Sequence, residues 1–449
     1  MSDPAARRMP SPDHAVTQSP LEDWLRWLEG VHPQEIDLGL ARVGAVADRL
    51  GLRDVGTPII TVAGTNGKGS TVACLEAMYT AAGQQPGSYT SPHILRYNER
   101  IRIGGVPVDD ALILAAFEAI EAARAEITLT YFEFATLAAA WCFRARHAAP
   151  WILEVGLGGR LDATNCFDAD LAVVTAIDLD HMEWLGDNRE AIAGEKMGIA
   201  RPGRPVVCSD PQPPRRIAEL AEAIGAPLWQ VGSHYDLTAA DACWNWRHAS
   251  QALDDLPRPA WLPDAALTNA AGAVMAVRGA HADLALDEAA LRAGLARAQL
   301  AGRQERVSAP DGDWLLDVGH NPAAIALLAD RLATHRHQGQ VRLAFALMAR
   351  KPLEPLITQL HPGVTEWFVL DVDDPASHSA EAVTAALHAI GAEVVGSGDA
   401  ADARRVLGSR WQSGDLNVAA GSFRVVEAFM RTQESACNTS GPVGHLGLD

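Results

Sequence analysis

One stretch limits what this chain can fold into more than any other: Pro58-Ile59-Ile60-Thr61-Val62-Ala63-Gly64-Thr65-Asn66-Gly67-Lys68-Gly69-Ser70-Thr71. A β-branched apolar run stops at Gly64, and a glycine loop follows around Lys68. Beyond it, Val72, Leu75, Met78 and Tyr79 share one helical face up to Gly83. Strand, glycine loop and helix make a phosphate cradle. Backbone N–H groups converge where no Cβ blocks them, the helix N-terminus adds partial positive charge, and a lysine neutralises oxyanions. Gly64, Thr65, Asn66, Gly67, Lys68, Gly69, Ser70 and Thr71 are therefore the expected ATP-binding residues, with a hydroxyl at Ser70 or Thr71 able to hold Mg2+. The spacing departs from the general G-x-x-x-x-G-K-[ST] loop, because Val62 replaces its first glycine and Gly69 separates Lys68 from the hydroxyl. A glycine-rich turn with an incidental lysine is the plainer alternative. The ordered strand, loop and helix favour the nucleotide.

A length of 449 residues predicts two or three domains. The net charge of −19 argues against nucleic acid as a main partner, since phosphate neutralisation needs a basic face. Six scattered cysteines without a C-x-x-C pair point to a reducing, cytoplasmic setting and no structural zinc. Arg7 and Arg8 have no apolar run behind them, and no segment has the apolar length of a membrane span, so neither an export signal nor a membrane partner is expected.

Residues 1–19 and 433–449 read as disordered tails. Between them, residues 20–300 read as an ATP-binding domain on a mostly parallel sheet. Residues 301–432 read as a smaller Rossmann-like α/β domain, joined at Ala301-Gly302-Arg303. In the first domain, strands are expected at 151–155, 171–177, 205–208 and 227–229, and helices at 21–28, 131–146, 189–199, 262–277 and 289–300. Residues 233–260 look irregular, with short antiparallel strands. In the second, strands at 314–317, 341–346, 367–370 and 416–420 alternate with helices at 322–334, 380–390 and 400–408.

Ligands of open parallel sheets bind beyond the carboxyl ends of strands. Four such ends carry polar or glycine-rich sequence: 64–70, 90–93, 154–162 and 178–181. They offer a hydroxyl (Ser91), a carboxylate (Glu154) and an imidazole (His181), donors that suit Mg2+ or Mn2+ bridging ATP and a second substrate. Taken singly, each has an ordinary reading as turn residue, buried acid or cap. Together, at neighbouring strand ends, they read as a site. Glu154 is the sharpest case, because an unpartnered carboxylate inside an apolar strand is costly. In the second domain, Asp317 can hold a ribose hydroxyl and His320 can reach a phosphate, although Asp317 and Asn321 also suit capping roles. Arg303 can bring cationic charge to a transferring phosphoryl group or lie in solvent.

These motifs resemble the folylpolyglutamate synthase and dihydrofolate synthase family of the Mur-ligase superfamily. The resemblance is carried by residues 64–70, Thr90-Ser91-Pro92-His93, Tyr97-Asn98-Glu99-Arg100-Ile101-Arg102, residues 153–165, Asp180-His181, Glu195-Lys196, Asn269-Ala270-Ala271 and residues 317–322. It implies ATP-dependent amide formation: a pterin-linked carboxylate takes the γ-phosphoryl group, and the amine of L-glutamate displaces phosphate from the acyl phosphate. It further implies that Lys68 and Ser70 serve ATP and its metal, and that Ser91, Glu154 and His181 are Mg2+ ligands. Lys196 would be a carbamylated lysine supporting a second metal, while Asn269, Arg303, Asp317 and His320 would contact the nucleotide. Lys68, His181, Lys196 and His320 are thus the expected catalytic residues. Gly158 to Asn165, with Asp162 and Ala163, corresponds to the family's Ω-loop beside the folate.

Asp37 and Leu38 in Ile36-Asp37-Leu38-Gly39-Leu40, and Phe132 in Leu129-Thr130-Tyr131-Phe132-Glu133-Phe134, look like the pterin-side segments of bifunctional members. Their other reading is a helix lead-in and a core helix start. The implied substrates are dihydropteroate, folates, L-glutamate and ATP, and the family suggests a monomer. Two departures stand out. Gly319 replaces an alanine, and Ala346 to Pro352 replaces a glycine-started segment ending Asp-Lys-Asp, keeping Lys351 but not its flanking acids. Folylpolyglutamate synthase activity alone, an inactive nucleotide-binding paralogue and a cell-wall amino-acid ligase are the competing readings. The last fits least, because the phosphate loop comes too early for an extra N-terminal domain.

Overall fold

A computed structural model describes residues 19–439 apart from 55, 241, 242, 250, 281 and 337. By its contacts the chain divides into two compact units, one up to residue 260 with 264–299, the other 261–263 with the chain from 300 onward.

The first unit carries an eight-stranded sheet. Its strands are β1 (Ile59–Ala63), β2 (Gly87–Tyr89), β3 (Ile101–Ile103), β4 (Val106–Pro107), β5 (Trp151–Glu154), β6 (Leu171–Val174), β7 (Val206–Cys208) and β8 (Leu228–Gln230). The spatial order is β4-β3-β2-β5-β1-β6-β7-β8. Strands β2, β5, β1, β6, β7 and β8 run parallel, and β3 and β4 add an antiparallel edge. Every residue of β1, β5 and β6 is buried, as a parallel sheet covered on both faces requires.

Helices α1 (Pro20–Leu28), α2 (Ala41–Arg49), α3 (Lys68–Ala81), α4 (Asp110–Arg124) and α5 (Tyr131–Ala145) precede β5. A reciprocal cap starts α5: the Glu133 amide donates to the Thr130 hydroxyl (3.2 Å) and the Thr130 amide to the Glu133 carboxylate (2.8 Å). The helix lies so close to β2 that a Cβ at Gly87 would stand 2.6 Å from the Phe143 ring. On the same side Trp24, Phe117 and Phe134 pack edge to face or tilted.

Residues 233–260 are more regular than their sequence suggests. Strands β9 (Tyr235–Ala239), β10 (Cys243–His248) and β11 (Gln251–Pro257) form an antiparallel meander in the order β11-β10-β9. Trp244 and Trp246 alternate inward from β10, with the less buried Asn245 and Arg247 at the positions that follow each.

The second unit has strands β12 (Glu305–Ala309), β13 (Gly312–Asp317), β14 (Val341–Phe345), β15 (Glu366–Leu370), β16 (Val394–Gly398) and β17 (Leu416–Ala420), in the order β12-β13-β17-β14-β15-β16. All but β12 are parallel. One face is apolar, with Leu315, Leu343, Phe345, Trp367, Val369 and Val418. From the opposite face Arg342 donates to Glu366 (2.8 Å) and Asp415 (2.9 Å).

Several expectations are corrected. The edge strands β12 and β16 and the helix Leu353–Leu360 were not foreseen, and β6 stops at Val174 rather than 177. There the chain turns, with the Ile177 amide donating to the Asp210 carboxylate (2.9 Å). Ser19 is no tail residue, since its hydroxyl caps α1 by accepting the Glu22 amide (3.3 Å). The expected C-terminal tail from 433 is helical as far as Thr439, within Phe423–Thr439. Residues 1–18 and 440–449 lie outside the described residues. Among the described residues, no helix is long and apolar enough to cross a membrane.

Candidate active site

The four strand ends singled out by sequence are consecutive in the sheet, in the order β2-β5-β1-β6. The glycine loop leaves β1 at their centre. Gly67 has φ +91°, and a Cβ there would overlap the side-chain amide of Asn269. Asn269, from the helix Leu267–Met275, is thereby brought onto the loop. No side chain caps α3, so its first-turn amides face the loop. The Lys68 ammonium folds back, donating to the carbonyls of Gly64 (3.0 Å) and Thr65 (3.3 Å). The end of β6 holds the loop from the other side. The Thr65 amide donates to the Ala176 carbonyl (2.8 Å), its hydroxyl to that of Asp178 (3.0 Å), and the Thr175 hydroxyl to that of Asn66 (2.7 Å).

On the other flank, Glu154 ends β5 almost wholly buried, and the Ser91 amide donates to its carboxylate (3.3 Å). The residues at the ends of β2 and β5 therefore meet. Past β6, His181 adopts φ +49° at the start of the short helix α6 (Met182–Leu185), and its amide donates to Asp180 (3.0 Å). Lys196 lies inside α7 (Arg189–Met197) and is 3% exposed. Burial first, then repulsion from Lys68, bring its ammonium down to about 7, against the opposing pull of Asp180 and Asp162. Lys68 and Asp180 thus both act electrostatically on Lys196.

The loop after β5 packs on α7: a Cβ at Gly159 would stand 2.8 Å from the Glu195 carbonyl, and the Arg160 amide donates to that carbonyl (2.8 Å). Asp162 shapes this loop from within. Its carboxylate accepts the amides of Gly156 (3.0 Å), Leu157 (2.9 Å) and Thr164 (3.0 Å) and the Thr164 hydroxyl (2.6 Å). Burial pushes its carboxyl up, and these hydrogen bonds oppose the rise. Ala163 is buried beside it.

Phe132 lies over Gly156, where a Cβ would approach its ring to 2.5 Å, and its centroid is 5.8 Å from Tyr89. The neighbouring Glu133 reaches back to the Asp37 segment through Arg42, whose guanidinium pairs with Glu133 (3.2 Å) and Asp37 (2.7 Å). Leu38 is half-buried in the same segment. Asp37 is therefore tied to the first turn of α5, and Phe132 in that turn packs on the loop that Asp162 shapes. Sequence reading missed Arg42, which carries no motif of its own.

In the second unit, Asp317 ends β13 and accepts the amides of Gly319 (2.6 Å) and Gln304 (3.0 Å). Burial raises its carboxyl, with Arg303 the strongest opposing influence. Arg303 stands 5.8 Å above the Phe423 ring, and His320 is 6.0 Å from the same ring. The His320 Nδ1 donates to the Val318 carbonyl (2.8 Å). Arg303 and His320 are thus brought together around Phe423, which sequence reading did not single out, and Asp317 is near enough to Arg303 to feel its charge. The divergent segment around Lys351 is held by backbone: the Ala349 amide donates to the Ala376 carbonyl (2.8 Å), and the His378 ring bonds the Lys351 carbonyl (3.0 Å). Its fold does not need the missing acids.

Among the described residues, no three His, Cys, Asp or Glu are grouped to hold a metal by themselves. The donor set at the strand ends still fits a hard divalent ion: a buried carboxylate at the end of β5, set against a serine and beside a phosphate loop, with hydroxyl and imidazole donors on the flanking loops.

Residues 302–423 match the Mur ligase, glutamate ligase domain. The chain is 42% identical over 363 residues to the dihydrofolate synthase/folylpolyglutamate synthase of Escherichia coli K12, covering 81% of this chain and 84% of that protein. Among solved structures, E. coli FolC in complex with DHPP and ADP superposes with a TM-score of 0.87 at 38% identity, covering 93% of this chain and 98% of that one. The bifunctional folylpolyglutamate synthase/dihydrofolate synthase of Yersinia pestis complexed with AMPPNP and Mn ion gives 0.85 at 40% identity, with the same coverage.

Proposed function

Because the chain belongs to the dihydrofolate synthase/folylpolyglutamate synthase family, we propose that it is an ATP-dependent ligase joining L-glutamate to dihydropteroate and to the γ-carboxylate of tetrahydrofolate. The substrate carboxylate takes the γ-phosphoryl group, releasing ADP. The glutamate amine then attacks the acyl phosphate, forming the C–N bond, expelling phosphate and losing a proton. A carboxylate oxygen is a poor leaving group, and phosphorylation converts it into a good one.

Residues 64–71 would hold the ATP phosphates, with Lys68 neutralising the charge that moves during transfer and Asn269 steadying the loop. Ser70, Ser91, Glu154 and His181 would ligate Mg2+, which supplies Lewis-acid stabilisation of the phosphoryl oxygens. An amine that is neutral near pH 7 adds to CO2, forming a carbamate and releasing a proton, so Lys196 would become an anion able to support a second ion. Arg303, Asp317 and His320 would contact the nucleotide. Asp37, Leu38, Phe132 and the loop shaped by Asp162 and Ala163 would receive the pterin. A cytoplasmic monomer is the state in which we expect these reactions.

The single observation behind this reading is the buried Glu154 carboxylate set against Ser91 on the strand beside the phosphate loop. Phosphate release should be measured with ATP, L-glutamate and either 7,8-dihydropteroate or tetrahydrofolate. Turnover of both is expected. Turnover of tetrahydrofolate alone would reduce the reading to folylpolyglutamate synthase, and ATP binding without turnover would leave an inactive paralogue.

A further inference from the structure

Among the described residues, three arginines are buried: Arg100, Arg124 and Arg342. Two have carboxylates. Arg124 donates to Glu121 (2.7 Å), and Arg342 lies between Glu366 and Asp415. Arg102, two residues beyond Arg100, donates to both oxygens of Glu76 at 3.1 Å. Arg100 is 9% exposed, yet no carboxylate among the described residues pairs with it.

Its Nε donates to Nδ1 of His93 (2.8 Å), and its guanidinium carbon stands 5.7 Å from the Tyr97 ring and 5.4 Å from Tyr131. A ring nitrogen that accepts this bond is unprotonated, and the aromatic faces contribute no formal charge. The two terminal nitrogens make no hydrogen bond to a described residue. They are also not among the polar atoms sealed from solvent, so they face an opening. A guanidinium kept in such surroundings without an internal anion is suited to an external one. Two parallel N–H groups on a planar fork match a carboxylate.

The position narrows the ligand. Tyr131 precedes Phe132 at the start of α5, and His93 follows Ser91 by two residues. Arg100 therefore lies between the surface assigned to the pterin and the strand ends assigned to the phosphates. We infer that Arg100 is a binding residue for a carboxylate of the folate-side substrate. This rests on the reading of that surface given under the proposed function.

The test is Arg100→Met, with Arg100→Lys beside it, in the full chain. KM for the folate-side substrate should rise about 10- to 100-fold, the usual loss for a charge-assisted hydrogen bond, while KM for ATP stays put. Arg100→Lys should fall between. A rise for dihydropteroate and tetrahydrofolate together assigns the reacting carboxylate, the benzoate of the one and the γ-carboxylate of the other. A rise for tetrahydrofolate alone assigns its glutamyl tail. Calorimetric titration in the presence of ADP supplies a sharper readout. The wild-type protein should prefer dihydropteroate over the analogue with hydrogen in place of the carboxyl, and Arg100→Met should lose most of that preference.

The thermal midpoint of Arg100→Met should hold or rise, because a buried charge without an internal partner is removed. Unchanged folate KM values, a rise confined to L-glutamate or ATP, or equal loss of the carboxyl-free analogue would overturn the inference. So would a variant that no longer folds, since that marks a structural role. Wild-type protein inert toward both folates would instead remove the proposed function itself.

Discussion

Lys196 offers a quantitative test of the site's electrostatics. Its ammonium is lowered from 10.5 to about 7 by burial and by Lys68, which at 1.36 kcal/mol per pH unit corresponds to about 5 kcal/mol. The sign follows from proton counting. Below pH 7 both folded and unfolded chains hold the proton, and the folded state bears the full cost of a buried cation. Between pH 7 and 10.5 only the unfolded chain holds it, so stability rises with pH across that window. Lys196→Met removes the cation.

In metal-free, CO2-depleted buffer the variant should therefore be more stable than the parent by up to about 5 kcal/mol at pH 6, narrowing to about 2 kcal/mol at pH 9. At roughly 2 °C per kcal/mol for a unit of this size, the gain in melting midpoint should shrink from about 10 °C to about 4 °C. Calorimetry at the two pH values reads this directly, while ligase activity should be lost at both. A stability difference independent of pH, or a variant less stable at pH 6, would refute the claim that this amine is held buried and short of counter-charge.

Gly67→Ala should weaken ADP binding at least tenfold by titration calorimetry and destabilise the first unit by about 1–3 kcal/mol, since an L-residue at φ +91° is strained and its methyl displaces Asn269. Glu154→Gln keeps the shape but removes the charge, so the Mg2+ concentration for half-maximal phosphate release should rise sharply; an unaltered metal response would remove this strand end from the site. Asp162→Asn places an amide donor against amides that already donate, and should cost about 2–3 kcal/mol in chemical denaturation while raising KM for dihydropteroate more than for ATP.

The parts of this protein readable from sequence are those where chemistry interrupts an apolar run. Gly64, Glu154 and Asp317 each break a strand's pattern where the strand leaves its sheet, and the parallel α/β rule then places Gly64 and Glu154 at the carboxyl edge of one sheet and Asp317 at that of the other. Partners that meet across long separations were not readable. Arg42 and Glu133 are 91 residues apart, and neither announces the other. Phe423 follows an ordinary strand and gains meaning only from Arg303 and His320 around its ring. The strands β12 and β16 were missed because edge strands half open to solvent alternate weakly or carry glycines. The end of the C-terminal helix, from 433, reads as tail because Ser, Gly and Pro enrich the sequence beyond that point, whereas Val425, Val426 and Phe429 anchor the helix at its beginning.

The contact between Phe132 and Gly156 has a mechanical corollary. Gly156 is two positions beyond Glu154 on the same strand exit, and the ring leaves no room there for even a methyl group. Whatever planar body settles against that ring presses on the backbone that steers the acid. If the proposed roles of Phe132 and Glu154 hold, recognition of one reactant and activation of the other would share a single short lever, and an occupant too thick or too thin would tilt it out of line.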